Sequence, residues 1–429
     1  MVTLERRNDH FIYADTEMNV RIPLPENVRA NLVQTAQIPE MKEEAAIRRA
    51  VREPVCGLTL PEIVRQKQAE TACVLISDAT RAVPTAKMLK YVVEELAEGG
   101  IRPENILCVV AIGVHRNATE EEIRTALGDL YGKVKAENHE PYNKNALVDL
   151  GRTSFGTPVL VNRRAYECDI HIQIGKVEPH EFAGFSGGRK SVLPGISSEE
   201  TIHINHRPEM ILHPNAANGK LAGNPVHQDM VEAARKFGID FGVNCVLNRD
   251  LKLAAVFAGD LEASHEAAVN YVREKLIVKL KKPDVIVTKP GQPLDIDFYQ
   301  SVKALIALTE VLDQDIQVVL YCGCREGVNS PDMLRAFRSG STIAEAIHWT
   351  TDHYEIQMDH VLLLSKIFRK GVKIRVVCPN TADNELSDMF FQPETSLEEA
   401  IAGALSDCGK AEPLVTFYPS PQTGLPELA

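Results

Sequence analysis

The densest concentration of reactive side chains is the run Glu178–Ile196, EPHEFAGFSGGRKSVLPGI. Gly184, Gly187 and Gly188 open the backbone to close approach, and Arg189 and Lys190 follow at once. A glycine loop with trailing cations suits a phosphate or another anion. The run comes near a phosphate-binding loop, because Gly184 stands six residues before Lys190 and Ser191 follows it. Arg189 occupies the place of that motif's glycine, where backbone room matters. The run alone therefore also reads as a glycine turn with solvated charges, or as the loop of a non-catalytic nucleotide- or phosphate-binding protein.

Histidines form the second group. His115, His180 and His206 each follow a strand-like run or stand near the glycine loop. Imidazole exchanges protons near neutral pH and ligates transition metals. His203 and His206 share one face of a helix, which would suit a zinc hydrolase, but no third ligand with recognised spacing accompanies them. Asp78-Ala79-Thr80-Arg81 offers an arginine able to hold a carboxylate bidentately, or simply a helix start capped by Asp78 or Thr80. Asp295–Lys303, DIDFYQSVK, sets Tyr299 or Gln300 near Lys303 on one helical face. Of nine cysteines only Cys322 and Cys324 are close neighbours, and they read as a strand end entering a turn, since half a zinc site is missing.

The elements that must position these groups alternate between apolar strands and helical patterns. Ala72–Ser77 and Ile106–Ile112 read as strands, with Pro84–Gly99 as the helix between them. Glu120–Leu127 reads as a helix capped by Thr119, and Asp169–Ile174 as a further strand. A second series follows in Val285–Thr288, Ile316–Tyr321 and Val372–Val377, with Val302–Leu312 and Asp359–Phe368 as helices. Lys275–Lys282 reads as a linker or domain edge. The expectation is an α/β protein of two domains, each a mostly parallel sheet flanked by helices, with the active site in the interdomain cleft. The domains are expected at 1–275, which binds the cofactor, and 283–411. The tail 412–429 reads as a strand able to return to the first domain.

Size and composition bound the function. At 429 residues, with 44% hydrophobic and 25% charged residues, the chain is expected to hold two ordinary soluble cores. A net charge of -12 argues against sequence-independent nucleic-acid binding. The first residues, MVTLERRNDHF, contain no apolar signal core and no run reaches membrane-spanning length, so a cytoplasmic protein without membrane or nucleic-acid partners is expected.

The run HEFAGFSGGRKSVLPGI resembles the signature of the lactate racemase family, the nickel-pincer nucleotide enzymes. SDATRAVP, IGVHR, TIHINH, GNPVHQDM, FAGD and PLDIDFYQSVK follow in the family's order. The resemblance implies a racemase or epimerase that inverts the C2 configuration of a 2-hydroxy acid by hydride transfer through a 2-keto acid. It implies a pyridinium-3-thioamide-5-thiocarboxylic acid mononucleotide tethered to Lys190 and carrying nickel, with His206 completing the metal's shell. His115 and His180 match the acid/base pair. Asp78, Gly187, Gly188 and Arg189 fall at cofactor-binding positions, and Arg81, Tyr299, Gln300 and Lys303 at substrate-binding ones. Cofactor-maturation enzymes are implied partners. One position departs: the family's Asp-Gln-Trp aligns with Ile356-Gln357-Met358, and the only tryptophan, Trp349, lies outside that motif. Losing the ring points to a substrate larger or more polar than lactate, such as an aldonate or malate, with Met358 at the contact and Asp359 and His360 beside it.

Overall fold

The computed structural model describes residues 2–7, 10–14, 19–42 and 44–429. The chain divides into two units, one of residues 37–275 and one that joins 1–36 to 276–429. The expected first domain therefore loses its opening segment to the other unit, and the tail belongs to that unit as well. In the opening segment β1 (Thr3–Arg7), β2 (His10–Ala14) and β3 (Asn19–Pro23) form an antiparallel meander, and β4 (Arg29–Leu32) follows.

The unit 37–275 is built on β5 (Ala72–Ser77), β6 (Ile106–Ala111), β7 (Lys135–Asn138), the hairpin β8 (Leu147–Arg152) and β9 (Pro158–Asn162), and β10 (Ile170–Lys176). After these come the short ribbon β11 (Pro179–His180) and β12 (Gly184–Phe185), then β13 (Phe241–Leu247) and β14 (Leu253–Gly259). Six of these strands form one sheet in the order β14-β13-β10-β5-β6-β7, parallel except for the β13–β14 pair. The strands ACVLIS and ILCVVA are apolar and buried through their first five residues, as strands covered on both faces are. Val74, Ile76, Val110, Ile172, Ile174 and Val243 pack with Val92 and Leu96 of the helix Thr85–Gly99 in one core. The helix Glu120–Leu127 starts at Thr119 in a capping box: Thr119 Oγ1 accepts from the Glu122 N–H at 3.3 Å, and the Glu122 carboxylate accepts from the Thr119 N–H at 2.8 Å. Register aligns the strand ends, pairing Ser77 with Ala111 and Ile76 with Ile174. Asp78, His115 and His180 thus all leave the sheet at its carboxyl edge, where such sheets bind ligands.

The second unit contains β15 (Ile277–Leu280), β16 (Val285–Lys289), β17 (Gln317–Tyr321), β18 (Ile374–Val377), β19 (Gln392–Pro393), β20 (Leu414–Pro419) and β21 (Leu425–Leu428). Its main sheet is parallel throughout, in the order β19-β18-β17-β16-β20-β4. β20 is buried from Leu414 to Tyr418, so its outer backbone groups need a partner, and β4 supplies it with Leu414 opposite Arg29 and Phe417 opposite Leu32. That pairing recruits the opening segment. The expected linker is a strand, since β15 pairs with β21 and buries Val278 and Leu280 in alternation. Among the described residues no helix is long and apolar enough to cross a membrane.

Candidate active site

The glycine loop is folded inward. Gly187 and Gly188 have φ of +76° and +52°, and a β-carbon on Gly188 would stand 3.0 Å from the His265 ring. The Gly188 N–H donates to Asn244 Oδ1 at 3.0 Å, and the Lys190 N–H to the Gly187 carbonyl at 3.1 Å. Arg189 is only 2% exposed. Its two terminal nitrogens donate to the carbonyls of Ala183 (2.9 Å), Phe185 (2.7 Å), Ser186 (3.3 Å) and Gly187 (3.2 Å), and Nη1 also lies 2.8 Å from His265 Nε2. Burial pulls its pKa down to about 9. Arg189 is therefore a staple of its own loop and not the expected cofactor contact, because its planar fork finds four local carbonyls to cross-link. The two glycines serve backbone conformation and packing. A phosphate cradle would need those N–H groups and that cation turned outward.

Lys190 points the other way. Its Nζ lies 3.1 Å from His180 Nε2 and 5.8 Å from the centre of the Phe182 ring. Phe182 stands edge-on to His180 at 4.8 Å and to His206 at 5.0 Å between centroids. Lys190, His180 and His206 therefore surround one phenyl ring, a residue that composition and spacing did not single out. His206 caps the helix Glu199–Asn205, and its Nδ1 donates to the Ile202 carbonyl at 3.0 Å. That bond fixes the tautomer with a lone pair on Nε2. Burial, with the Lys190 charge, pulls its pKa down to about 3, so the ring stays neutral. The His203–His206 zinc reading gains nothing, because among the described residues the one metal-compatible group of three lies elsewhere, at Cys322, Cys324 and Cys378.

A second cluster stands at the ends of β5 and β6. Asp78 caps the turn Ala79–Arg81, its Oδ1 accepting from the Thr80 N–H at 2.8 Å. Its Oδ2 lies 3.1 Å from His115 Nδ1, and His115 Nε2 lies 3.3 Å from the Arg81 guanidinium. Burial pushes the Asp78 carboxyl up, but bonds from His115 and Thr80 and the Arg81 charge outweigh it and hold it at about 2. Asp78 is thus the partner of His115 in place of an open cofactor contact. The loop bearing His115 is tied to the Lys190 loop, since the Gly113 N–H donates to the Gly195 carbonyl at 2.9 Å.

Each of the two histidines stands between a carboxylate and a basic side chain. His115 faces Asp78 with Nδ1 and Arg81 with Nε2. His180 faces Glu181 with Nδ1 at 3.2 Å and Lys190 with Nε2 at 3.1 Å. Asp78 selects the Nδ1–H tautomer of His115 and leaves Nε2 as the base, whereas His180 Nδ1 meets both the Glu181 carboxylate and the Ala183 N–H, which donates to it at 3.4 Å. Glu181 stands beside His180 without having been foreseen. Its position directly after His180 was the available signal.

The unit holding 276–429 carries its own group. Asp297 caps the turn Phe298–Ser301, accepting from the Gln300 N–H at 2.7 Å, and Lys303 opens the next helix. The Tyr299 hydroxyl donates to Asp359 Oδ1 at 3.1 Å, and its ring stacks on His360 at 4.0 Å. Met358 has 0% exposure, so the expected contact side chain is packed inside the fold. Trp349 stacks on His353 at 4.4 Å, in the helix that precedes the turn Ile356–Met358.

Residues 13–219 match the lactate racemase N-terminal domain and residues 278–420 the lactate racemase C-terminal domain. The lactate racemase of Thermoanaerobacterium thermosaccharolyticum is 30% identical over 84% of this chain and 85% of its own. The chain belongs to the lactate racemase family. The lactate racemase of Lactiplantibacillus plantarum is 34% identical over 70% of this chain and 72% of its own. Among solved structures, the lactate racemase apoprotein from T. thermosaccharolyticum superposes with a TM-score of 0.88 at 27% identity, covering 97% of this chain and 100% of that one. A Thermotoga maritima protein shares the fold at a TM-score of 0.65 and 19% identity, over 92% of this chain and 100% of that one. In this lactate racemase family member, the Lys190 and Asp78 clusters both lie in the segment that matches the N-terminal domain.

Proposed function

We propose that this chain is a racemase or epimerase of 2-hydroxy acids that carries a nickel-pincer nucleotide on Lys190. The observation that carries the reading is the pair of imidazoles, each with a carboxylate facing Nδ1, with His180 Nε2 directed at the Lys190 amine that would bear the tether. Inverting a centre requires proton exchange at a hydroxyl in either of two orientations, and two bases serve that need. His115 or His180 takes the proton from the substrate hydroxyl onto Nε2, and the other returns it. Asp78 holds the His115 ring in the required tautomer, and Asp78 and Glu181 stabilise each imidazolium as it forms. Arg81, beside His115, holds the substrate carboxylate.

The donor set fits the cofactor that the family resemblance implies. Lys190 supplies an amine for a covalent tether, and His206 a neutral Nε2 with its other nitrogen anchored, as metal-bound histidines are. When bound, the group supplies a hydride acceptor, which avoids removing a weakly acidic α-proton as a cation. Tyr299, Gln300 and Lys303 keep their expected substrate contacts in this proposal, and maturation enzymes are the partners that load the site. Because neither Met358 nor Trp349 supplies the family's ring, an aldonate or malate is the proposed substrate in preference to lactate.

Protein co-produced with the maturation enzymes, assayed on chiral 2-hydroxy acids in deuterium oxide, tests this. The expected result is stereoisomer interconversion with the α-hydrogen retained, nickel bound, and a mass increase on the Lys190 peptide. Loaded protein that inverts none of the panel, or that washes solvent deuterium into the α-position, contradicts the reading.

A further inference from the structure

Cys322 and Cys324 leave the carboxyl end of β17, and Cys378 leaves that of its parallel neighbour β18. The Cys322 N–H donates to the Val377 carbonyl at 3.0 Å, which sets Cys322 beside Cys378. Cys324 has a φ of +46°, in the left-handed region that L side chains avoid. This turn brings its sulfur back over the strand ends. The three sulfurs lie within 4.8 Å of one another, and all three residues are buried.

Two hydroxyls address the group: Ser301 Oγ lies 3.3 Å from Cys324 Sγ, and Thr381 Oγ1 lies 3.2 Å from Cys378 Sγ. Thiols packed as small apolar side chains need neither a strained turn nor hydroxyl partners. Cys378 Sγ donates to Thr381 Oγ1 while it is a thiol, and once its proton is displaced that hydroxyl can turn to donate to the thiolate, as outer partners of metal-bound ligands do. The Cys-Gly-Cys pair lacks further ligands in its own stretch of sequence, and the fold brings the third from the next strand of the sheet.

We propose that Cys322, Cys324 and Cys378 form a closed three-thiolate site for a thiophilic d10 cation, Zn2+ or Cu+, which pins the ends of β17 and β18 to the turn bearing Ser301. Sulfur selects these ions over calcium, magnesium or manganese. A cation about 2.3 Å from each sulfur needs sulfurs roughly 4 Å apart, which lies inside the observed spread. Binding displaces thiol protons, and the cation neutralises thiolates that a dry pocket does not tolerate alone. The Ser301 turn also holds Tyr299 and Gln300, so the cation orders the segment that presents them. The site shares no residue with the Lys190 cluster, and its binding chemistry does not depend on the proposed racemase activity.

The test uses the full chain produced without maturation enzymes, reduced and stripped by a chelator. Zn2+ is offered against a chromophoric chelator of micromolar affinity, and Cu+ is offered anaerobically against a cuprous one. The expected result is one equivalent of at least one cation retained, and the winning ion names the site's metal. Cys378→Ser abolishes retention, Thr381→Val weakens it about tenfold, and Cys56→Ser leaves it unchanged. Alkylation of the wild-type protein, mapped by peptide mass, supplies a readout independent of any variant's folding: the cation protects Cys322, Cys324 and Cys378. Retention of neither ion, or protection falling on other cysteines, overturns the proposal.

Discussion

Asp78→Asn separates orientation of His115 from every other property of the site. Asp78 uses both oxygens: Oδ1 accepts from the Thr80 N–H at 2.8 Å, and Oδ2 receives the His115 Nδ1–H at 3.1 Å. Asparagine has one oxygen. If that oxygen keeps the cap on the turn, the amide NH2 faces Nδ1 and drives the ring proton to Nε2, towards the guanidinium 3.3 Å away. The base is then lost. The expected fall in kcat is about a hundred- to ten-thousand-fold, or about 3–5 kcal/mol of barrier. Stability moves separately. The carboxyl is depressed from 3.8 to about 2 in the fold, which corresponds to about 2 kcal/mol at neutral pH. That contribution is complete above the unfolded-state value near 4 and disappears as pH falls through about 2. Stereoisomer interconversion by loaded enzyme gives kcat, and denaturant midpoints at pH 7 and pH 3 give the rest. D78N with wild-type kcat and normal cofactor loading would refute the idea that Asp78 prepares His115 as a base.

Three further outcomes follow from the buried parts of the same unit. Gly188→Ala places a methyl 3.0 Å from the His265 ring at a φ of +52°, and thermal unfolding should register a loss of about 1–3 kcal/mol. Arg189→Met leaves the carbonyls of Ala183 and Phe185 without their guanidinium donors. At about 1–3 kcal/mol for each unpaired group, denaturant melts should show a larger loss than for G188A. Burial holds His139 at about 4 and His206 and His227 at about 3, and keeps His265 well below its usual value. These rings stay neutral in the fold and charge on unfolding, so their stabilisation is complete above about pH 6.5 and erodes as pH falls below it. Apoprotein unfolding free energies between pH 7 and pH 5 should fall with a slope of up to about 5 kcal/mol per unit, the sum of four protons. A flat profile would show that these imidazoles are hydrated.

Much of the architecture was legible because local patterns and tertiary demands agreed. Ala72–Ser77 and the helix from Glu120 carried their period and their cap within a few residues. The opening segment was not legible in this way. Its recruitment depends on β20 needing a partner, and β20 lies at the far end of the chain. The same locality limited the reading of β15, whose alternation is short and whose partner is the final strand.

In the site, residue type was legible and direction was not. Arg189 and Lys190 are adjacent cations on one glycine loop, and the pattern gave them one joint role as ligand contacts. Left-handed backbone at Gly187 and Gly188 turns the two side chains apart, one into four carbonyls and the other towards His180 and Phe182. The glycines that suggested an open cradle are thus what closes the loop and aims the amine. Glu181 and Cys378 escaped for a related reason. A carboxylate beside an imidazole is defined by the nitrogen it faces, which for Glu181 turns on the local backbone at His180, and a thiol that completes a triangle by the sulfurs it faces, which strand register chooses for Cys378. Where function rests on such pairs, the sheet decides which of several plausible side chains meet.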